Sequence, residues 1–290
     1  MSTAIAVILA LCAAAANALS SVLQRRAARA VPPDRDFSLA VAWSQARQPA
    51  WMAGIGVLIL AFLLQAGALS LAGLTLVQPI LVTELPFTMF IVRWLFKTRL
   101  GGGDWLAVLS VTAGLAVLLS AANPSSGEQI PDATDWLLST AATVGGVACL
   151  VAAARIGRGA YRPALLGVAS GACFAFTAAL MKESMRVLAE NPAALLTTWP
   201  VYAMVAAGIT ALFLLQYALH TGTLVVVQPA LTITDPVASI VYGVALFDDS
   251  IRLGPWVIPE LAGVALVFYG SVKLSQSPHI RRKGSQQPAR

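Results

Sequence analysis

Apolar segments long enough to cross a membrane fill most of this chain. Each is about 20 residues long, the length needed to span a hydrocarbon core of roughly 30 Å. Inside lipid the backbone must satisfy its own hydrogen bonds, which favours helices. We therefore predict an all-α, polytopic membrane helix bundle of about nine transmembrane helices. The predicted spans lie near residues 3–23, 51–71, 74–96, 104–121, 135–154, 163–181, 199–219, 223–247 and 256–275.

The composition agrees with a membrane protein and argues against several other classes. Only 11% of the 290 residues are charged, and 58% are hydrophobic, whereas about a quarter of a soluble domain is charged. The net charge of +6 does not indicate a nucleic-acid partner, because basic residues are expected at the cytoplasmic loops of membrane proteins. The three cysteines are far apart and in apolar segments, which predicts neither a disulfide framework nor a metal site: Cys12, Cys149 and Cys173.

The distribution of basic residues predicts the orientation in the membrane. If nine spans alternate in direction, 16 of the 19 Lys and Arg residues lie on the side opposite to the N-terminus. Cytoplasmic loops carry such an excess, so we expect a multi-pass plasma-membrane protein with its N-terminus outside and its C-terminus cytoplasmic. Lys182 and Arg93 lie near span ends, where long basic side chains are expected to reach back to the interface.

Two polar segments lie outside the predicted spans. Residues 33–50 follow the first span and place apolar residues at helical spacing, which fits either an interfacial helix or an ordered polar loop. Residues 276–290 form a polar tail, which we predict to be a disordered cytoplasmic segment.

An internal repeat organises the rest of the chain. "VQPILVTELP" at 77–86 recurs as "VQPALTITDP" at 227–236, 150 residues later. Residues 1–121, with spans one to four, then correspond to residues 163–275, with spans six to nine. The linking span at 135–154 leaves the two repeats in opposite orientation. Inverted repeats within one membrane domain are typical of secondary transporters.

The repeated motif places one carboxylate near the middle of the membrane in each half: Glu84 in span three and Asp235 in span eight. A charged side chain at that depth costs at least about 2.5–3.5 kcal/mol, so we predict a substrate- or ion-binding pair. Pro86 and Pro236 cannot donate to the carbonyls of Val82 and Thr232, and those oxygens are expected to be free near the pair.

Further candidates line the same region. The polar ones are neighbours within the motifs, an amide in span one and an acid near the outer end of span nine: Gln78, Gln228, Thr83, Thr234, Asn17 and Glu260. The expected helix breaks are Pro79, Pro86, Pro229 and Pro236. Structural alternatives stay open. The acids could be protonated hydrogen-bond donors, the prolines simple kinks, the amides interhelical contacts, and Glu260 a residue that reaches the headgroups.

The two segments "GALSLAGLTLVQPILVTELPFTMFIVRWLFKTRLGGGDWLAVLSVTAGLAVLL" and "GTLVVVQPALTITDPVASIVYGVALFDDSIRLGPWVIPELAGVALVFYG" resemble the drug/metabolite transporter superfamily. In both, a proline-bearing helix precedes a short polar turn and a Gly/Ala-rich helix. The resemblance implies transport of a small solute. Typical EamA-type members have ten spans with both termini inside, and the nine predicted here resemble the NIPA-like magnesium transporter branch. Where EamA-type members often have a Glu in the turn after the proline helix, this chain has Thr98 in one half and Asp248 or Asp249 in the other.

Three functions follow as hypotheses. The leading one is a secondary active transporter that works by alternating access and is coupled to a proton or cation. The second is a magnesium transporter, with Glu84 and Asp235 as ligands, since Mg²⁺ prefers oxygen. The third is a non-transporting scaffold or lipid-handling protein. The expected partners are a small-molecule or cation substrate and the lipid bilayer, with a homodimer allowed. We find no catalytic motif and expect neither an enzyme nor a cofactor.

Overall fold

A computed structural model describes residues 2–29, 48–96, 101–127, 129–157, 161–222, 224–252 and 254–276. Within these ranges the α-helices are α1 Ser2–Arg29, α2 Pro49–Leu71, α3 Leu74–Leu81, α4 Glu84–Phe96, α5 Gly102–Ala122, α6 Ala133–Ile156, α7 Tyr161–Glu190, α8 Trp199–Thr221, α9 Leu224–Phe247 and α10 Val257–Gln276. Nine spans in these ranges are long and apolar enough to cross a membrane, and α3 and α4 together form the third of them. The predicted all-α polytopic bundle is confirmed.

The helix limits agree closely with the predicted spans, because hydropathy alone sets most of them. The predicted interfacial helix at 33–50 and the predicted disordered tail at 276–290 lie almost entirely outside the described residues. The division into two inverted repeats stays a prediction. Below, the N-terminal face is the end of the bundle at which α1 begins, and the C-terminal face is the end at which α1 finishes.

Span six is longer than predicted. We expected it to end near residue 181, but α7 continues to Glu190 and has 30 residues, a length of about 45 Å. Hydropathy falls at Lys182 and Glu183, which led to the shorter prediction. Arg186 stabilises the added turns, because it forms ion pairs with Glu183 three residues earlier and with Glu190 four residues later.

The third span breaks between Leu81 and Glu84, where one continuous helix was expected. The backbone N–H groups of Val82 and Thr83 donate to Pro79 and Ile80, three residues earlier, at 3.1 and 3.0 Å. The predicted free carbonyl of Val82 was wrong, since it accepts from the N–H of Leu85 at 3.1 Å. A tighter turn thus replaces the hydrogen bond that Pro86 cannot make.

Span eight tolerates its prolines without a break. Pro229 and Pro236 both lie inside α9, which runs unbroken for 24 residues. Proline is tolerated inside membrane helices where neighbouring helices satisfy the freed backbone groups. The two motifs therefore differ in backbone conformation although their sequences are similar.

Close helix contacts through small residues hold the bundle together, as is common in membranes. A Cβ added to Gly171 of α7 would lie 2.8 Å from the Cβ of Thr234 of α9. Helix α7 is central, with 67% of its most apolar segment buried, compared with 11% for each of α6 and α8. The apolar core extends from α7 to α3 and the N-terminal-face end of α9, so it seals the half of the protein next to the N-terminal face.

Candidate functional site

Glu84 and Asp235 lie near each other inside the bundle. Glu84 is the first residue of α4, directly after the break, and Asp235 lies in the middle of α9. Both residues are partly buried. Their carboxylates are close enough to interact electrostatically. The structure thus brings together one acid from each copy of the repeated motif.

Each carboxylate has a serine hydroxyl beside it. Ser21 of α1 donates to Glu84 Oε1 at 3.4 Å, and Ser239, one turn after Asp235 on α9, donates to Asp235 Oδ1 at 3.4 Å. A hydroxyl can donate to a carboxylate or accept from a protonated carboxyl group. Both serine contacts therefore fit the charged and the neutral state of the acid. Sequence reasoning missed both serines; only Ser239 had a signal, its spacing of four residues from Asp235.

The two glutamines of the motif differ in their hydrogen bonding. Gln78 is only 3% exposed, and its Nε2 finds no acceptor among the described residues. Gln228 is partly exposed, and its Nε2 donates to Thr232 Oγ1 at 3.5 Å. A buried donor without an acceptor costs about 1–3 kcal/mol. Gln78 therefore offers a donor to a ligand or to water.

The two threonines beside the acids bond to their own helices. Thr83 Oγ1 donates to the carbonyl of Ile80 at 2.7 Å, and Thr234 Oγ1 donates to the carbonyl of Ala230 at 2.8 Å. Thr234 also packs against Gly171 of α7. Both hydroxyls thus stabilise the local backbone.

The remaining polar candidates lie further from the pair along their helices. Asn17 is partly buried on α1, one turn before Ser21. Glu260 lies in the first turn of α10, close to the N-terminal face, and its Oε1 is buried with no hydrogen-bond partner in the described part of the chain. Glu260 is therefore near an end of the bundle, whereas Asp235 is near its middle.

Prolines of both motifs line one apolar cavity. Pro79 and Val82 form one wall, Thr232 and Pro236 form another, and residues of α5 and α10 complete it. Pro86 is the third residue of α4, where its missing N–H costs little because the first N–H groups of a helix have no partner within it. Residues beside the break in span three and a proline of the unbroken span eight thus line one space, and neither Glu84 nor Asp235 is among its lining residues.

A second buried carboxylate lies at the N-terminal face, and sequence reasoning missed its role. The side chain of Asp249, which follows α9, is 0% exposed and accepts from Lys182 Nζ at 3.3 Å. It also accepts from the N–H of Gly127 at 3.0 Å, and from the N–H and Oγ1 of Thr75 at 3.3 and 3.2 Å. We call these four residues the Asp249 network.

Lys182 corrects a prediction. It was expected to snorkel towards the interface, but its side chain is only 14% exposed, and Nζ lies 4.2 Å from the centre of the Phe247 ring. Two glycines make room for the carboxylate, since a Cβ at Gly73 or Gly243 would lie 2.3 or 2.7 Å from Asp249 Oδ2. A hydropathy pattern cannot reveal an ion pair between residues 67 positions apart.

Comparison with known proteins gives one relative. The chain is 27% identical over 261 residues to an uncharacterized protein of Corynebacterium glutamicum, which covers 88% of this chain and 89% of that protein. No protein-family model matches the chain, and no solved structure matches it either. The similarity extends over most of both proteins.

Proposed function

We propose that this protein is a secondary active transporter that moves a small solute across the membrane by alternating access. The observation that carries the proposal is the pair Glu84 and Asp235, one acid from each repeated motif, interacting electrostatically inside a bundle of membrane spans. The resemblance to the drug/metabolite transporter superfamily supports the same reading. In this proposal the N-terminus is outside and the C-terminus is cytoplasmic.

The pair has the electrostatics that coupling requires. Two carboxylates in a medium of low dielectric repel each other, and burial disfavours their charged forms. A proton or cation bound between the two carboxylates reduces both their repulsion and the cost of burying their charge. A substrate that binds the charged pair then competes with that proton or cation. Ser21 and Ser239 accommodate either state, because a hydroxyl can reverse its hydrogen bond.

Gln78 supplies a further element of recognition. Its buried Nε2 has no acceptor among the described residues, and an acceptor on the substrate would satisfy it. The carboxylate pair supplies negative charge, and Gln78 supplies this donor. Together these features fit a small solute with both a positively charged or protonated group and a hydrogen-bond acceptor.

Magnesium transport is the alternative that a specific observation favours. The groups at the pair are all oxygen donors, Glu84, Asp235 and the two serines, and Mg²⁺ binds oxygen and keeps several waters. The described residues contain no group of three or more His, Cys, Asp or Glu side chains that could hold an ion. A divalent cation would therefore pass with most of its water shell. A non-transporting scaffold is the third hypothesis, although a scaffold does not require two acids whose burial in the membrane is energetically unfavourable.

Transport assays in proteoliposomes test the proposal. A thermal-shift screen against small metabolites and divalent cations first finds a ligand, and its uptake is then measured with and without a pH gradient. We expect uptake that follows the pH gradient in the wild type and none in the double variant E84Q/D235N. E190Q is the matched control, since Glu190 is an exposed acid at the end of α7. Uptake that ignores pH and follows Mg²⁺ would favour the alternative.

A further inference from the structure

The Asp249 network joins four elements at the N-terminal face: the start of α3, the connection after α5, α7, and the connection after α9 that carries Asp249. We propose that the Lys182–Asp249 ion pair is the gate that closes the carboxylate pair off from this face, and that it separates once in each cycle. The inference rests on the proposed function, because only alternating access requires a gate.

The burial of polar residues shows which side is closed in this structure. Towards the N-terminal face Thr75, Gln78 and Asp249 are all buried. Towards the C-terminal face Ser21, Glu84 and Gln228 are all partly exposed. This difference in burial is what a site closed at the N-terminal face would show.

The bonding pattern shows which interface opens. Thr75 and Gly127 hold Asp249 by three hydrogen bonds from the side of α3 and the connection after α5. Lys182 is the contribution of α7 to the network. If α7 moves away, one ion pair breaks while the carboxylate keeps its other hydrogen bonds. The loss of contact between the two charges is then offset by hydration of both.

A buried ion pair suits a gate for a physical reason. Its attraction is strong where water is excluded, but the charges lose hydration there, so the net stability of the closed state is small. Removal of one partner instead leaves the other charge buried and alone, which is strongly unfavourable. We therefore expect truncation of Lys182 to let water reach Asp249 and to open the N-terminal face of the bundle.

Thiol accessibility tests the gate in the full-length protein. In a background with Cys12, Cys149 and Cys173 replaced by Ala, single cysteines are introduced at Gln78, beneath the gate, and at Ser21, on the C-terminal side. A third at Ser126, exposed in the connection after α5, marks the N-terminal face. An impermeant thiol reagent is applied to each side of membrane vesicles, and labelling rates are compared with and without K182M.

We expect K182M to raise the labelling rate of Q78C from the N-terminal face about tenfold or more. K182Q keeps a hydrogen-bond donor for Asp249, so it should raise the labelling rate of Q78C less than K182M does. It replaces K182M in the experiment if K182M folds poorly. R252Q is the matched control, because Arg252 is an exposed cation at the same face whose guanidinium lies over the ring of Trp256. Its labelling rate should equal that of the background.

The outcomes separate the gate from the transport mechanism. A faster Q78C rate together with a slower S21C rate from the C-terminal face supports both the gate and alternating access. A faster Q78C rate with an unchanged S21C rate supports the gate and contradicts alternating access. An unchanged Q78C rate in folded K182M and K182Q, or an equal rise in R252Q, overturns the gate whatever the transport assays show.

Discussion

Gly114 of α5 and Gly263 of α10 contact each other reciprocally. A Cβ built on either glycine would lie 2.7 Å from the carbonyl oxygen of the other. Only glycine lets two helix backbones come this close, and small residues at such crossings are how membrane helices associate. The two positions are 149 residues apart, close to the 150-residue offset of the proline motifs. This agreement supports the inverted repeat, which stays a prediction.

The glycine crossing should be sensitive to one methyl group. We expect G114A or G263A to lower the free energy of unfolding by about 1–3 kcal/mol, because the helices must separate to accept the added Cβ. Thermal unfolding in detergent measures the effect. G145A is the control, since nothing lies within 4 Å of a Cβ at Gly145. Equal melting temperatures for G114A and G145A would contradict the close packing.

The orientation can be tested with two exposed positions on opposite faces. Ser126 lies in the connection after α5, and Gln276 is the last residue of α10. In the cysteine-free background we expect an impermeant thiol reagent to label S126C in intact cells, and Q276C only after permeabilisation. The physical reason is the 16-to-3 asymmetry of basic residues, which retains the basic side in the cytoplasm. Labelling of Q276C in intact cells would reverse the assignment.

Gln78 should limit the stability of the protein. Q78M removes a buried donor that has no acceptor in the described structure and keeps a similar shape, so we expect a gain of about 1–2 kcal/mol in the free energy of unfolding. If the donor binds substrate, uptake should fall at the same time. Q228M is the comparison, because Gln228 is partly exposed and already donates to Thr232. A less stable Q78M protein would show that the amide is satisfied.

Sequence reasoning predicted the helices well and their polar contacts poorly. Span limits follow from local hydropathy, which is why most agree within a few residues. The break at Val82 and Thr83 did not follow, because the similar motif in α9 has no break. The ion pair between Lys182 and Asp249, and the contact between Ser21 and Glu84, join residues 67 and 63 positions apart. Only the packing of the whole bundle determines such contacts.

The last prediction concerns the carboxylate pair. E84Q and D235N keep shape and hydrogen-bonding capacity but remove the negative charge. If the acids only hold helices together, the amides should be tolerated, since intramembrane hydrogen bonds average about 0.6 kcal/mol. If they carry the coupling proton or cation, each single variant should abolish uptake driven by a pH gradient. The variants should still fold, which size-exclusion profiles and melting temperatures can check.

The effects of the two amides should also be strongly non-additive, because either one disables the same cycle. The measurement is initial uptake in proteoliposomes of the wild type, both single variants and the double variant. We expect the double variant to lose no more than either single variant. S239A is a graded comparison: the 3.4 Å contact of its hydroxyl with Asp235 is weak, so uptake should fall only slightly. Full uptake by the double variant would exclude Glu84 and Asp235 from the mechanism, because no acid of the pair would remain to carry charge.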